Sequence, residues 1–326
     1  MTKLRVAAIL STLFAIGIAS APAPVQAQSQ NWPTRTVRFI VPLGPGSAVD
    51  IASRLFAEKL SKTWGQPVVV ENKPGGDSIV AIKAFLAAND DHTFLYSPSG
   101  NFIVHPFIYS QLTYDPKDFV PIVRASNTIL AVAVASNAPY KTVKEFTEAA
   151  RAAPGKFNSG LVTGITEFTF WNYAHHEKLQ ITQVPYRDIN VAPVDLGENR
   201  LQIVMASLAI VQPQVEANRI RLIAVNNRTR ASVVPDVPTA REAGYPSLEV
   251  EGLAGLFGLK NTSDGLKEKI AADFRAAAED GSIAKRLLSS GQVINVGGPK
   301  EFTDAIQEQQ AKIAETVKAI NFKPKQ

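Results

Sequence analysis

Three turns in this sequence carry residue types that could hold an anion. The first reads Leu43-Gly44-Pro45-Gly46-Ser47-Ala48-Val49-Asp50. Its glycines let the backbone turn tightly and approach a ligand. The helix expected from Ala48 presents unpaired N–H groups and the positive end of its dipole. Together they make an anion site at the carboxyl end of a strand, although an ordinary strand–helix turn has the same spacing. Asp50 falls in the first helical turn and is expected to brace it rather than touch an anion. The second turn, Ser97-Pro98-Ser99-Gly100-Asn101, offers hydroxyls and an amide that could hydrogen-bond a carboxylate without adding charge; a plain surface turn reads the same. The third runs from Gly160 through Val162, Thr163 and Thr166 into a helix carrying Phe168, Phe170 and Trp171. Two helix N-termini facing one another would suit a ligand with a carboxylate at each end. Aromatic residues at that spacing are more often core than ligand wall, but Phe168 is carried as a candidate contact.

Catalytic chemistry has little to stand on. The chain has four histidines and no cysteine, so thiolate nucleophiles, thiolate zinc sites and disulfides are excluded. His175 and His176 are adjacent, which on a helix turns their side chains about 100° apart. No H-E-x-x-H, G-x-S-x-G, phosphate-loop or dinucleotide motif occurs. No catalytic set, metal site or cofactor is expected.

The elements that must position these turns alternate along the chain. A strand at Val37–Val41, a helix over 48–62 with Ala52, Leu55, Phe56 and Leu60 on one face, a strand at Val68–Val70, a helix over 78–88 capped by Ser78 and a strand at Thr93–Tyr96 form a β-α-β-α-β series. That order implies parallel pairing with right-handed crossovers. The run from Val120 to Ala135 is too long and β-branched for one strand, so it is expected to leave one sheet and enter a second. A second α/β series follows, and the apolar run from Leu248 to Leu259 is expected to cross back. The remainder reads as mostly helical. The expected architecture is therefore α/β: two lobes, each a mostly parallel sheet flanked by helices, joined by two crossing strands that leave a cleft between them. Lobe 1 takes residues 28–128 plus 252–326 and lobe 2 takes residues 129–251.

Residues 1–27 read as a secretory signal peptide. Lys3 and Arg5 precede an apolar run from Val6 to Ala19, and Val25-Gln26-Ala27 ends in a small-x-small pattern. The run is shorter than the roughly 20 residues that span a bilayer. Cleavage after Ala27 would leave a periplasmic protein, and without a cysteine there no lipid anchor. The 326 residues carry a net charge of +5. Loss of Lys3 and Arg5 lowers it by two, and the remaining basic residues are scattered singly, unlike those of a nucleic-acid binder.

Ordered motifs then add a resemblance. Trp32-Pro33-Thr34-Arg35 opens the mature chain, followed by Gly44-Pro45-Gly46-Ser47-Ala48-Val49-Asp50, Glu71-Asn72-Lys73-Pro74-Gly75, Tyr114-Asp115-Pro116, Pro154-Gly155-Lys156, Val184-Pro185-Tyr186 and Pro235-Asp236-Val237-Pro238-Thr239. The set resembles the Bug (TctC-like) family, periplasmic solute-binding proteins of tripartite tricarboxylate-type transporters, over about residues 31–320. The resemblance implies a two-lobed periplasmic-binding-protein fold (type II-like) and a receptor rather than an enzyme. Its ligand would be a small carboxylate, its partners membrane transporter subunits, and its state a monomer. Ligand contacts would come from Leu43, Gly46, Ser47 and Ala48; from Ser97, Ser99 and Asn101; from Val162, Thr163, Thr166 and Phe168; and from Ala206 and Ser207. The chain also departs from the family pattern. It has Gly46-Ser47 where members often carry Gly-Gly, Glu167 where they carry a histidine, and Met205-Ala206 where they often carry Phe-Asp. Loss of that acid argues against a ligand ammonium. The apolar third turn suits an aromatic dicarboxylate of the phthalate type, terephthalate-like, with aliphatic dicarboxylates and nicotinate-like acids as alternatives. An exported hydrolase or a ligand-sensing subunit are the competing readings.

Overall fold

A computed structural model describes residues 32–161, 164–186 and 189–324. The signal-peptide segment, Val162 and Thr163 lie outside the described residues. Strand β1 (Val37–Val41) buries Phe39 and Val41 and leads into helix α1 (Ala48–Trp64), where the Ser47 hydroxyl accepts from the Asp50 N–H at 3.2 Å and Gly65, at φ +64°, ends the helix. There follow β2 (Val68–Asn72), α2 (Ile79–Ala88), β3 (Thr93–Pro98) and α3 (Gly100–Ile108). β4 (Phe119–Thr128) and β5 (Leu130–Ala135) are separated by Ile129 alone. Next come α4 (Val143–Ala152), β6 (Phe157–Leu161), α5 (Ile165–His176), β7 (Ile181–Pro185), α6 (Ala192–Gly197), β8 (Ile203–Ser207), α7 (Leu208–Glu216) and β9 (Ile220–Val225). The chain closes with β10 (Gly252–Leu259), α8 (Asp264–Ala278), α9 (Gly281–Ser289), β11 (Gln292–Gly297) and α10 (Pro299–Ala319).

The strands form two sheets, ordered β11-β4-β10-β3-β1-β2 and β7-β6-β8-β5-β9. The apolar run from Val120 thus changes sheets at Ile129, whose N–H donates to Gly291 O and whose carbonyl accepts from Leu208 N, both at 2.8 Å. On the return, Val250 still donates to Asn226 O at 2.9 Å, and two residues later Gly252 pairs with Thr128 in the first sheet. The βαβ runs pair in parallel as their connections require, β1 with β2 and β3, and β6 with β7 and β8. The crossing strands do not: β10 runs antiparallel to β3 and β4, and β5 antiparallel to β8 and β9. Both sheets are therefore mixed, because a chain that leaves a lobe and comes back must re-enter in the opposite sense.

Each sheet is covered on both faces by apolar side chains. A further cluster joins the lobes: Ile103, Val104 and Ile108 of α3 and Ile313 of α10 pack against Phe168 of α5. Ser78 does not cap α2 as expected; it stands at φ +74° and makes no side-chain cap bond, closing a run of left-handed residues from Gly75.

Helix α3 was read as the end of a polar turn. Its nine residues are held by burial of Phe102, Ile103 and Val104 rather than by propensity. His105 within it is also buried, its Nδ1 hydrogen-bonded to the Tyr114 hydroxyl at 2.7 Å. Burial holds this imidazole down to about 4, against the opposing pull of Asp77. A histidine with a depressed folded value stays neutral while the unfolded chain takes up a proton. Its contribution is therefore complete above about 6.5 and is lost as pH falls from there to about 4. The loss is expected to reach about 3 kcal/mol. Urea unfolding across that range should show the fall, and His105→Gln should flatten it.

Candidate functional site

A cavity of about 680 Å³ lies between the two sheets, against the crossing strands. Four helices begin on it: α1 through Ser47, Ala48 and Val49, α3 through Gly100, α5 through Gly164, Ile165 and Thr166, and α7 through Ser207, Ala209 and Ile210. Two come from each lobe. Each helix start supplies N–H groups without intrahelical acceptors and the positive end of a dipole. Leu43, Leu130, Ile165, Ile210 and Leu253 make an apolar belt between them. Among the described lining residues Glu251 alone carries a formal charge, and no lysine or arginine is present.

The first turn is built as a rigid cradle. Gly46 takes φ +82°, which glycine alone adopts without strain, and its N–H donates to Asp50 Oδ2 at 2.9 Å. Asp50 also accepts from Arg54 Nε at 3.0 Å and from Asn72 Nδ2 at 2.8 Å, and Asn72 reaches Leu43 O at 2.8 Å. Asp50 braces the turn, as its position suggested. Burial alone would raise its carboxyl, but hydrogen bonds from Arg54, Gly46 and Asn72 and the Arg54 charge outweigh it and hold the value below the ordinary one. The stabilisation this gives is present above about 3.9 and is lost as pH falls through the lower folded value. Asp50→Asn is expected to lower stability at neutral pH by about 2 kcal/mol. It should also weaken ligand capture about tenfold, because one lost hydrogen bond to a charged group is worth that much. Urea unfolding and calorimetry on the same variant check both.

The other expected contacts divide. Leu43, Gly46, Ser47, Ala48, Thr166 and Ser207 line the cavity. Ser97 and Ser99 do not: both are fully buried, Ser97 Oγ donates to Pro98 O at 2.9 Å, and the wall is made by Pro98 and Gly100 instead. Asn101 is the second residue of α3, and its side chain lies outside the described residues. Ala206 is buried in β8 opposite Ala131. Phe168 is corrected from ligand wall to core. It is fully buried in the joint between lobes, edge-on to Trp171 at 5.0 Å and to Phe322 at 5.2 Å. The reason is helical: residues 165, 168 and 171 follow one another at three-residue spacing along the side that packs on α3 and α10, whereas Thr166, about 100° on from Ile165, faces the cleft.

Glu251 is the residue that sequence reasoning missed. The acid lost at Met205-Ala206 is thus not the only one that bears on the cleft, because Glu251 is part of the lining. Its carboxylate is engaged by the frame, however. Arg228 N donates to Oε1 at 2.8 Å, and Asn227 at 3.4 Å and Asn127 both donate to Oε2. It ties together the segments that cross between lobes, and the sequence signal was only an acid beside a crossing glycine.

The sequence model of the tripartite tricarboxylate transporter family receptor matches residues 52–322. The chain belongs to that receptor family. A relative from Pseudomonas sp. strain P51, the UPF0065 protein in the tcbD–tcbE intergenic region, is 29% identical over 304 residues, spanning 91% of this chain and 90% of that protein. A solved structure described as a periplasmic transporter is 30% identical, with a TM-score of 0.77, over 90% of this receptor and 99% of that chain. An R. palustris protein solved with adipate is 24% identical, with a TM-score of 0.79, over 90% of the receptor and all of that chain, and shares the fold. The matched family is one of transporter receptors rather than enzymes. No helix among the described residues of the receptor is long and apolar enough to cross a membrane.

Proposed function

We propose that this receptor captures a small dicarboxylate with an apolar middle, a terephthalate-like aromatic diacid, and delivers it to membrane transporter subunits. One observation carries the reading: four helix N-termini, two per lobe, open on one cavity with an apolar belt and, among the described lining residues, no basic side chain. A helix start contributes up to about 2 kcal/mol to a partly buried anion, so a pair at each end can replace a missing cation. Phe168 gives no support, since it faces the joint. The belt is aliphatic, which favours a second reading, a flexible diacid. Adipate, the ligand of the R. palustris neighbour, is of that kind.

In this account residues 1–27 are removed after Ala27, and the mature protein is a free periplasmic monomer. Residues 28–128 plus 252–326 form one lobe and residues 129–251 the other. The ligand docks on one lobe, and closure about the crossings adds the contacts of the other. Closure is favoured by those added contacts alone. Thermal-shift screening of terephthalate, phthalate, adipate, malate, nicotinate and glutamate tests the proposal. Aromatic diacids are expected to raise the midpoint most; a response to glutamate with none to diacids would overturn it.

A further inference from the structure

A second cavity, of about 730 Å³, lies on the opposite side of the crossing strands. Its lining mixes apolar and charged side chains, with Arg228, Arg241 and Lys312 paired to Glu249 and Glu308 and Arg124 beside them. Ile165, Glu251 and Leu253 line this rear cavity and the front one alike. Residues that face two chambers are the partition between them. We propose that Ile165 is the stop that sets the length of the ligand the cleft accepts. The inference rests on the dicarboxylate reading above and adds a specificity-determining residue to it.

The three partition residues are not equivalent. Leu253 belongs to β10, is buried, and its carbonyl accepts from Ser99 N at 2.9 Å, so it is fixed by the sheet. Glu251 is held by Asn127, Asn227 and Arg228 N, and its charge repels a carboxylate that approaches it. Ile165 alone is a side chain projecting from a helix start, next to the N–H groups expected to hold one ligand carboxylate. It is wedged across the lobes: a Cβ placed on Gly100 of α3 would lie 3.1 Å from Ile165 Cγ2. The residue also packs on the core of the second lobe and on the joint cluster, and its β-branched side chain has few alternative rotamers. A rigid apolar wedge at the end of the belt stops a chain that is one methylene too long. Behind it the rear cavity is lined by basic side chains, so a shortened wedge would let a longer acid reach them with its charge compensated.

Calorimetric titration of the aliphatic series from succinate to sebacate tests this on the full mature chain. The native receptor is expected to show an optimum length with a fall of about tenfold per methylene beyond it. Ile165→Ala is expected to move the optimum to longer acids and to gain about tenfold for the first acid the native chain excludes. Gly100→Ala, which forces Ile165 to give way, is expected to change the length profile while leaving the partition in place, and Ile165→Val to keep the native profile. If Ile165→Ala does not fold, a shift of optimum in Gly100→Ala supports the inference, and an unchanged one overturns it. Native binding with the same length profile in Ile165→Ala, or uniform weakening at every length, overturns the inference alone. Failure of the native chain to bind any diacid overturns the dicarboxylate reading and the inference with it.

Discussion

Thr166→Glu is expected to abolish most carboxylate capture while leaving the fold intact. Thr166 is the second residue of α5 and lines the cleft. A glutamate in the first turn of a helix is favoured by the dipole, so stability should hold or rise slightly. The same charge would occupy the N–H groups meant for the ligand. Two like charges about 5 Å apart at an effective dielectric near 20 repel by about 3 kcal/mol, a loss of about a hundredfold or more in affinity. Thr166→Ser should bind like the native chain. Calorimetry against the best diacid, with a urea midpoint as the fold control, reads both outcomes. A change below about threefold would put the ligand somewhere else.

Gly255→Ala is the second large effect, and it falls on the fold. Gly255 sits in β10, where the register with β4 shifts between Ala254 and Gly255. A Cβ there would lie 2.1 Å from Val123 O and 2.8 Å from Phe302 Cε1. The first is backbone in a paired neighbour and cannot swing aside. Overpacking costs about 1–3 kcal/mol where side chains can adjust, so about 3 kcal/mol or more is expected here. The damage would spread to the site, because β10 also pairs with β3, which sets Pro98 and Gly100 on the cleft wall. Gly281→Ala is the matched control: nothing lies within 4 Å of its Cβ position, at the start of α9. Its effect should stay within about 0.5 kcal/mol. Equal urea midpoints for the two variants would contradict the close approach at Gly255.

What could be read from the chain follows the range of the interactions involved. The first turn was legible because its devices are local: glycines that permit a tight turn and an acid, Asp50, in the first turn of the helix that follows. The change of sheets was legible because a run of sixteen residues from Val120 exceeds one strand. α3 was not, since its β-branched residues and internal Pro106 argue against a helix and burial overrules them. β11 was hidden for a related reason. Its partner β4 lies more than 160 residues earlier, and Gln292 gives no apolar signal although it is fully buried. The direction of Phe168 was undecidable because α5 is apolar on several faces, with Phe170 and Tyr173 also buried. Glu251 reaches the cleft only because the two crossings meet there.

Helix N-termini around a cleft whose described lining holds no lysine or arginine are proposed to hold the ligand's carboxylates. Calorimetric titration of terephthalate and adipate, each beside its neutral diamide, tests this most directly. The account expects saturable one-to-one binding of at least one diacid and about a hundredfold weaker binding of its diamide, since each lost charge forfeits at least about 1.4 kcal/mol. A diamide that binds as tightly as its acid, or native protein that binds neither acid, would contradict it.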